Sequence, residues 1–298
     1  MKLLSDFDGV WTYPDEEGEA HGAALDEALE SALGEGERPA VRAWIARARA
    51  ALRAEPGRWG WASAGRISAF ADEDPFTEHG ALLEYLDVAR THDPLAARLA
   101  AAAEASAGTL DAFGGRAHVS GVQAVEARRG PGITAAAAEA GRALLAGGVE
   151  IVVVSNSGTD KLQRWFTHAR VPCRVHPDRA PGELRLRGSA KKFVLAPGAA
   201  DPIEAGELRV DVARPHYEAV LREEQPDAVV GDVFSIDLAL PLALKRREPA
   251  WRRLRIFWLD HPYTSERLRR AIDRIPKGEV EAVEGGLAGV AKRLADND

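Results

Sequence analysis

One cysteine, Cys173, stands in 298 residues. That excludes an intramolecular disulfide and any cysteine-based zinc site, and leaves a buried, inert thiol as its simplest reading. Long basic runs are missing too, and the formal net charge is -7, so no dedicated nucleic-acid surface is expected. No apolar run approaches the roughly 20 residues that a membrane helix needs. The chain starts on a strand-like segment at Lys2, which leaves no room ahead of it for a signal peptide. A cytoplasmic, non-membrane protein is the expectation. Hydrophobic residues are not scarce: at 46% of the chain they can furnish a sizeable core, so global disorder is excluded. The length suits one large domain or two moderate ones.

What is present is concentrated at the start. Lys2–Ser5 reads as a short strand, followed by Asp6–Phe7–Asp8–Gly9. Side chains at i and i+2 of a strand point the same way, so Asp6 and Asp8 are expected to face one pocket at the strand's end. Gly9 allows the chain to turn away with positive φ. Two such acids suit a hard cation such as Mg²⁺, or a nucleophile paired with an acid/base. An acidic turn after an N-terminal strand explains them equally well.

From about residue 13 to 129 the sequence reads as a mostly helical insertion. Ala24–Leu33, Pro39–Ala54, Phe76–Ala89 and Leu95–Ala105 carry helical apolar spacing. Asp15–Gly22 reads as a loop, and Gly108–Gly121 as a small-residue connection. After Gly130–Pro131–Gly132 strands and helices alternate. Strands are expected at Val149–Val154, Val171–Val175, Leu208–Val212, Asp227–Val230, Leu254–Leu259 and Val280–Val283. This predicts an α/β fold: a doubly wound parallel sheet with helices on both faces, made from residues 1–12 and 130–298, with the helical domain 13–129 inserted after its first strand.

In such sheets ligands bind where strands end. Ser155–Asn156 follow Val149–Val154, apolar apart from Glu150, and form a candidate anion site at a helix start; a plain helix cap is the alternative. Gly231–Asp232 follow Asp227–Val230, with Asp237 in the next turn. These acids could complete a cation site, or favour a helix dipole. Phosphoryl chemistry needs a positive charge as well. Lys191 and Lys192 compete for that part with Arg214.

Order and spacing together resemble the haloacid dehalogenase-like (HAD) hydrolase superfamily. Its motif D-x-D-G-x-T/V looks like Asp6–Val10, its apolar strand ending in Ser or Thr like Val149–Ser155, and its G-D-x-x-x-x-D like Gly231–Asp237. The helical insertion falls where that family carries a type 1 cap. The family's Lys-Pro pair reads Arg214–Pro215 here, so either Arg214 replaces the lysine or Lys192, ahead of Lys191, reaches in. The resemblance implies a Mg²⁺-dependent phosphatase acting on a small phosphorylated molecule. Asp6 would be its nucleophile and Asp8 its acid/base. Lys192 or Arg214 would offset charge, and Ser155, Asn156 and Lys191 would hold phosphate. Asp6, the Asp8 carbonyl, Asp232 and Asp237 would hold the metal. A phosphotransferase or mutase, or a non-catalytic metal-binding regulator, are the alternatives.

Overall fold

The structure, a computed structural model, describes residues 1–296. The chain divides into two compact units, Pro14–Gly130 and the remainder, Met1–Tyr13 with the chain from Pro131 onward. Strand β1 (Lys2–Ser5) opens the second of these.

The Pro14–Gly130 unit contains α1 (Asp15–Ser31), α2 (Arg38–Ala54), a hairpin of β2 (Gly60–Ser63) and β3 (Arg66–Phe70), then α3 (Thr77–Ala89), α4 (Pro94–Ala107) and α5 (Leu110–Arg129). Its own core joins Leu25, Leu29, Trp44, Leu82, Leu86, Leu99 and Phe113. The expected loop at Asp15–Gly22 is helix instead. Pro14 precedes it and Asp15, Glu16 and Glu17 fill the first turn, where carboxylates meet the positive end of the helix dipole. The expected connection at Gly108–Gly121 is helix as well. Thr109 caps it by accepting from the Ala112 amide. Two of its glycines serve close packing: a Cβ on Gly121 would lie 2.6 Å from the His21 backbone nitrogen, and one on Gly114 would strike Leu83. The hairpin had no counterpart in the sequence reading, because its nine residues are short and only half buried.

This unit also brings three imidazoles together, with His21 and His79 buried and His118 half-buried. The His21 ring lies 4.6 Å from that of His79 and 5.1 Å from that of His118, centre to centre. Burial, with His79 and His118 beside it, pushes the His21 pKa down to about 2. An unfolded His21 binds its proton near pH 6.5, so between these values only the unfolded chain is protonated. Stability is therefore fully present above about pH 6.5 and falls as the pH drops below it, by about 1.4 kcal/mol per pH unit for one such group. In thermal unfolding from pH 7.5 to 5, the stability difference between wild type and His21→Asn is expected to change with this slope, since groups that titrate alike in both proteins cancel. Parallel slopes in the two proteins would refute the assignment.

The remainder contains α6 (Ala135–Ala146), β4 (Glu150–Val154), α7 (Thr159–His168), β5 (Cys173–Val175), β6 (Leu184–Arg187), β7 (Pro202–Ala205), β8 (Leu208–Asp211), α8 (Pro215–Glu224), β9 (Ala228–Gly231), α9 (Ala239–Arg247), β10 (Arg255–Leu259), α10 (Glu266–Asp273), β11 (Glu281–Val283) and α11 (Gly286–Ala295). Seven strands form one sheet in the order β11-β10-β9-β1-β4-β6-β5, every pair parallel. This is the doubly wound α/β architecture. Strands β1, β4 and β9 are buried along nearly their whole length, as strands covered on both faces must be. The core beside them holds Phe7, Trp11, Trp165 and Phe166.

Two details differ from expectation. Leu208–Asp211 does not join the main sheet but pairs antiparallel with β7; its partner Pro202–Ala205 is only four residues long and opens on a proline, which hides its strand character. A π-helical turn, Phe234–Leu238, precedes α9, where the sequence pattern suggests an ordinary helix start around Asp237. Among the described residues no helix is long and apolar enough to cross a membrane.

Candidate active site

The order of the sheet places β1 between β4 and β9. The chain leaves β1 towards β4 on one side and reaches β9 on the other, which opens a crevice at their carboxyl ends. Asp6 follows β1 and donates its amide to the Val230 carbonyl of β9 at 2.9 Å. Asp232 follows β9, and the π-helical turn brings Asp237 back over Gly231. A Cβ on Gly231 would lie 2.4 Å from that of Asp237, so this glycine makes room for the carboxylate. Side-chain oxygens of Asp6, Asp232 and Asp237 lie within 4.8 Å of one another, all three residues buried.

Lys192 enters the cluster from the loop after β6. Its Nζ donates to Asp6 Oδ1 at 2.5 Å and to Asp237 Oδ1 at 2.6 Å, with only 2% of the residue exposed. Burial opposes its charge, but Asp237 and Asp6 outweigh it and raise the Lys192 pKa, so the group is an ammonium. The same balance leaves Asp6 short of compensation. Burial first, and the Asp237 carboxylate second, push the Asp6 carboxyl up to about 8, while Lys192 pulls the other way. Two carboxylates share one ammonium.

The Lys192 loop is held on three sides. Its backbone amide donates to Asn156 Oδ1 at 2.7 Å. The amides of Ser189 and Ala190 donate to the carbonyls of Ser157 and Ser155. Arg214, fully buried at the head of α8, donates to the Lys192 carbonyl at 2.8 Å. Ser189 and Lys191 adopt left-handed φ of 53° and 52°, which throws successive side chains to opposite sides. Lys192 is turned in and Lys191 is exposed, with no hydrogen bond or ion pair joining it to the acids. Ser155 is buried, and its Oγ accepts from the Ser157 amide at 3.0 Å. Neither serine caps α7, whose N-cap is Gly158.

Asp8 does not share the partner of Asp6. Strand β1 ends at Ser5, so the i, i+2 alternation expected of Asp6 and Asp8 does not extend to Asp8, which lies in the turn. Gly9 there has φ 75°, and a Cβ on it would come within 2.2 Å of Asp232 Oδ2. Asp8 Oδ2 instead accepts from Ser157 Oγ at 3.0 Å, and Lys161 Nζ lies 3.5 Å from Oδ1. Lys161, on the first turn of α7, is buried over the Trp165 ring at 4.6 Å. Sequence reasoning missed it; its place six residues after Ser155, at the start of a helix leaving a central strand, was the available signal.

Two more residues were missed. Tyr263 donates its hydroxyl to Asp232 Oδ2 at 2.7 Å, and His261 donates from Nε2 to the Gly9 carbonyl at 2.7 Å. Both follow β10, the next strand end along the sheet.

An all-oxygen, buried, doubly acidic donor set fits a hard divalent cation. Asp6, Asp232 and Asp237 are the side chains able to hold one. A second cluster, His176, Glu223 and Glu224, is already occupied by arginine: Arg187 reaches Glu224 at 2.5 Å and Glu223 at 2.7 Å, and Arg185 reaches Glu224 at 2.6 Å.

No protein-family model matches the chain, and no curated protein matches it in sequence. Among solved structures it is similar to the crystal structure of YfnB from Bacillus subtilis, described as a HAD-hydrolase bound to magnesium. The TM-score is 0.38 at 12% identity, over 91% of this chain and 98% of that one. A likeness at that level transfers no residue, ligand or reaction to this chain.

Proposed function

We propose that the chain is a Mg²⁺-dependent phosphatase of the haloacid dehalogenase-like kind, hydrolysing a small phosphate monoester through a phosphorylated Asp6. One observation carries this reading: Asp6, Asp232 and Asp237 meet at the ends of β1 and β9, the first and last of them paired with the ammonium of Lys192, with a further acid, Asp8, two residues from Asp6. A structural cluster has no need of three buried carboxylates within 4.8 Å of one another, since bringing buried like charges together costs several kcal/mol.

In this reading the Asp6 carboxylate attacks phosphorus. Lys192 offsets the charge of the nucleophile and of the transferring oxygens. Asp8, steadied by Ser157 and Lys161, gives a proton to the leaving oxygen and then takes one from the water that hydrolyses the acyl phosphate. The buried Ser155 hydroxyl and the Asn156 amide are the donors for phosphate oxygens. Asp6, Asp232, Asp237 and the Asp8 carbonyl would hold the metal, which supplies Lewis-acid stabilisation of phosphoryl charge. Arg214 works through the Lys192 carbonyl and Lys191 faces solvent, so the cationic part falls to Lys192. The Pro14–Gly130 unit leaves the core directly after the Asp6–Asp8 turn, and on that connectivity we assign it the part of a substrate-selecting cap.

Inorganic phosphate is expected to appear from an aryl phosphate in Mg²⁺, to stop in excess chelator, and to resume when Mg²⁺ is restored. No turnover across a broad panel of phosphate esters, by protein with Mg²⁺ bound, would replace this reading with a metal-binding regulator. Transfer of labelled phosphate to an acceptor other than water would make the protein a phosphotransferase.

A further inference from the structure

The segment after β10 carries none of the acids, yet it grips both turns that do. Trp258, near the end of β10, donates from Nε1 to the Asp232 carbonyl at 2.9 Å. His261 donates to the Gly9 carbonyl, one residue past Asp8. Tyr263 donates to the Asp232 carboxylate itself. The His261 and Tyr263 rings stack 4.9 Å apart at an interplanar angle of 16°, so the two donors are set as one piece. The His261 amide in turn donates to Thr264 Oγ, and Arg269 on α10 donates to the His261 carbonyl at 2.7 Å. The Asp232 carboxylate also lies against Gly9, where a side chain would overlap it.

We propose that Tyr263 is a positioning residue for the cation site: its hydroxyl fixes the plane in which Asp232 offers its carboxylate. The inference rests on reading Asp232 as a metal ligand. A carboxylate ligand has two oxygens and a free rotation about its last bond. A donor held to one oxygen, on a ring that cannot swing because His261 is stacked on it, removes that freedom before the cation arrives. Partners of this kind, one step out from a metal, typically change affinity or activity about 10- to 100-fold when removed. The gap between Gly9 and Tyr263 therefore sets the aim of Asp232, while Lys192 sets that of Asp6 and Asp237.

Mg²⁺ alone, titrated calorimetrically into the metal-free protein, tests this without recourse to turnover. Tyr263→Phe removes one hydroxyl from a half-buried ring and keeps the stack on His261, so the chain is expected to fold; its melting temperature in chelator checks this. Tyr263→His, which retains a donor, is the second variant. Tyr263→Phe is expected to weaken Mg²⁺ about 10-fold, with Tyr263→His recovering part of the loss and Asp232→Asn abolishing binding. In turnover, the Mg²⁺ concentration for half activation should rise by the same factor, with KM for an aryl phosphate unchanged at saturating Mg²⁺. Binding by Tyr263→Phe within twofold of wild type, while Asp232→Asn has lost it, overturns the positioning role alone. Unaltered binding by Asp232→Asn removes the metal-site reading and this inference with it.

Discussion

Replacing Asp6 by Asn is expected to abolish phosphate release while leaving the protein at least as stable as before. The side chain keeps its size and its place at the end of β1, but an amide cannot attack phosphorus to form an acyl phosphate. Removing a nucleophile from a preorganised site costs on the order of 10⁴ to 10⁶ in kcat. Stability should move the other way. Burial and the neighbouring Asp237 push the Asp6 carboxyl up to about 8, far above the ~3.9 of an unfolded aspartate. A group raised in this way favours the fold only while protonated. Its contribution is lost as the pH climbs through the folded value, so at pH 8 the charged Asp6 is a burden that Asn does not carry. In chelator at pH 8 the Asp6→Asn protein is expected to melt no lower than wild type, and the gap between the two should shrink towards pH 5. Retained turnover would take the nucleophile's role away from Asp6. A clear fall in melting temperature would show that the charged side chain holds the fold together instead of straining it.

Lys192→Met should do the opposite and damage both. The methionine fills most of the volume but leaves Asp6 and Asp237 buried against each other without a cation. Breaking a buried ion pair by deleting one partner costs about 3–5 kcal/mol, and this ammonium serves two carboxylates at 2.5 and 2.6 Å. In metal-free buffer the variant is expected to lose about that much in denaturant unfolding. Mg²⁺ should raise its melting temperature more than it raises that of wild type, because the ion would neutralise the same acids. Activity should fall at every Mg²⁺ concentration, since the charge opposite the phosphoryl oxygens is gone. Lys191→Met is the control. That side chain is exposed and unattached to the cluster, so its effect on stability should stay within about 0.5 kcal/mol. Equal damage from both substitutions would mean that the loop, and not the ammonium, matters.

The two lysines mark the limit of what sequence alone could settle. They are adjacent, chemically identical and follow a strand with no helical or strand signature of their own. Which one turns inward depends on the left-handed φ at Ser189 and Lys191, and on the Lys192 backbone, whose amide donates to Asn156 and whose carbonyl accepts from Arg214. Those partners are 36 and 22 residues away. Lys161, His261 and Tyr263 escaped for a related reason. Lys161 and Tyr263 each act on an acid from a distant segment, His261 acts on the distant Gly9 carbonyl, and a lysine, histidine or tyrosine by itself looks like ordinary surface.

Much was nonetheless written in local pattern. The continuous apolar runs of β4, β9 and β10 fixed a buried parallel sheet, because only strands covered on both faces dispense with polar alternation. The spacing of Asp6 and Asp8, the serine after β4, and Gly231–Asp232 with Asp237 marked the ends of three strands as the place to look, since period and turn chemistry are properties of neighbouring residues. The local rules misjudged Asp15–Gly22 and Gly108–Gly121, where glycine and acidic residues imitate loops. There the helices are set by the dipole at Pro14 and by the close approach of α1 to α5 at Gly121. Tertiary structure alone decided that two acids from two strand ends, Asp6 and Asp237, share one ammonium with Asp232 beside them, that Asp8 answers to Ser157 and Lys161, and that a tyrosine following a fourth strand bonds Asp232. Charge and hydrogen-bond partnership act through space at a few ångströms, and sequence records only distance along the chain.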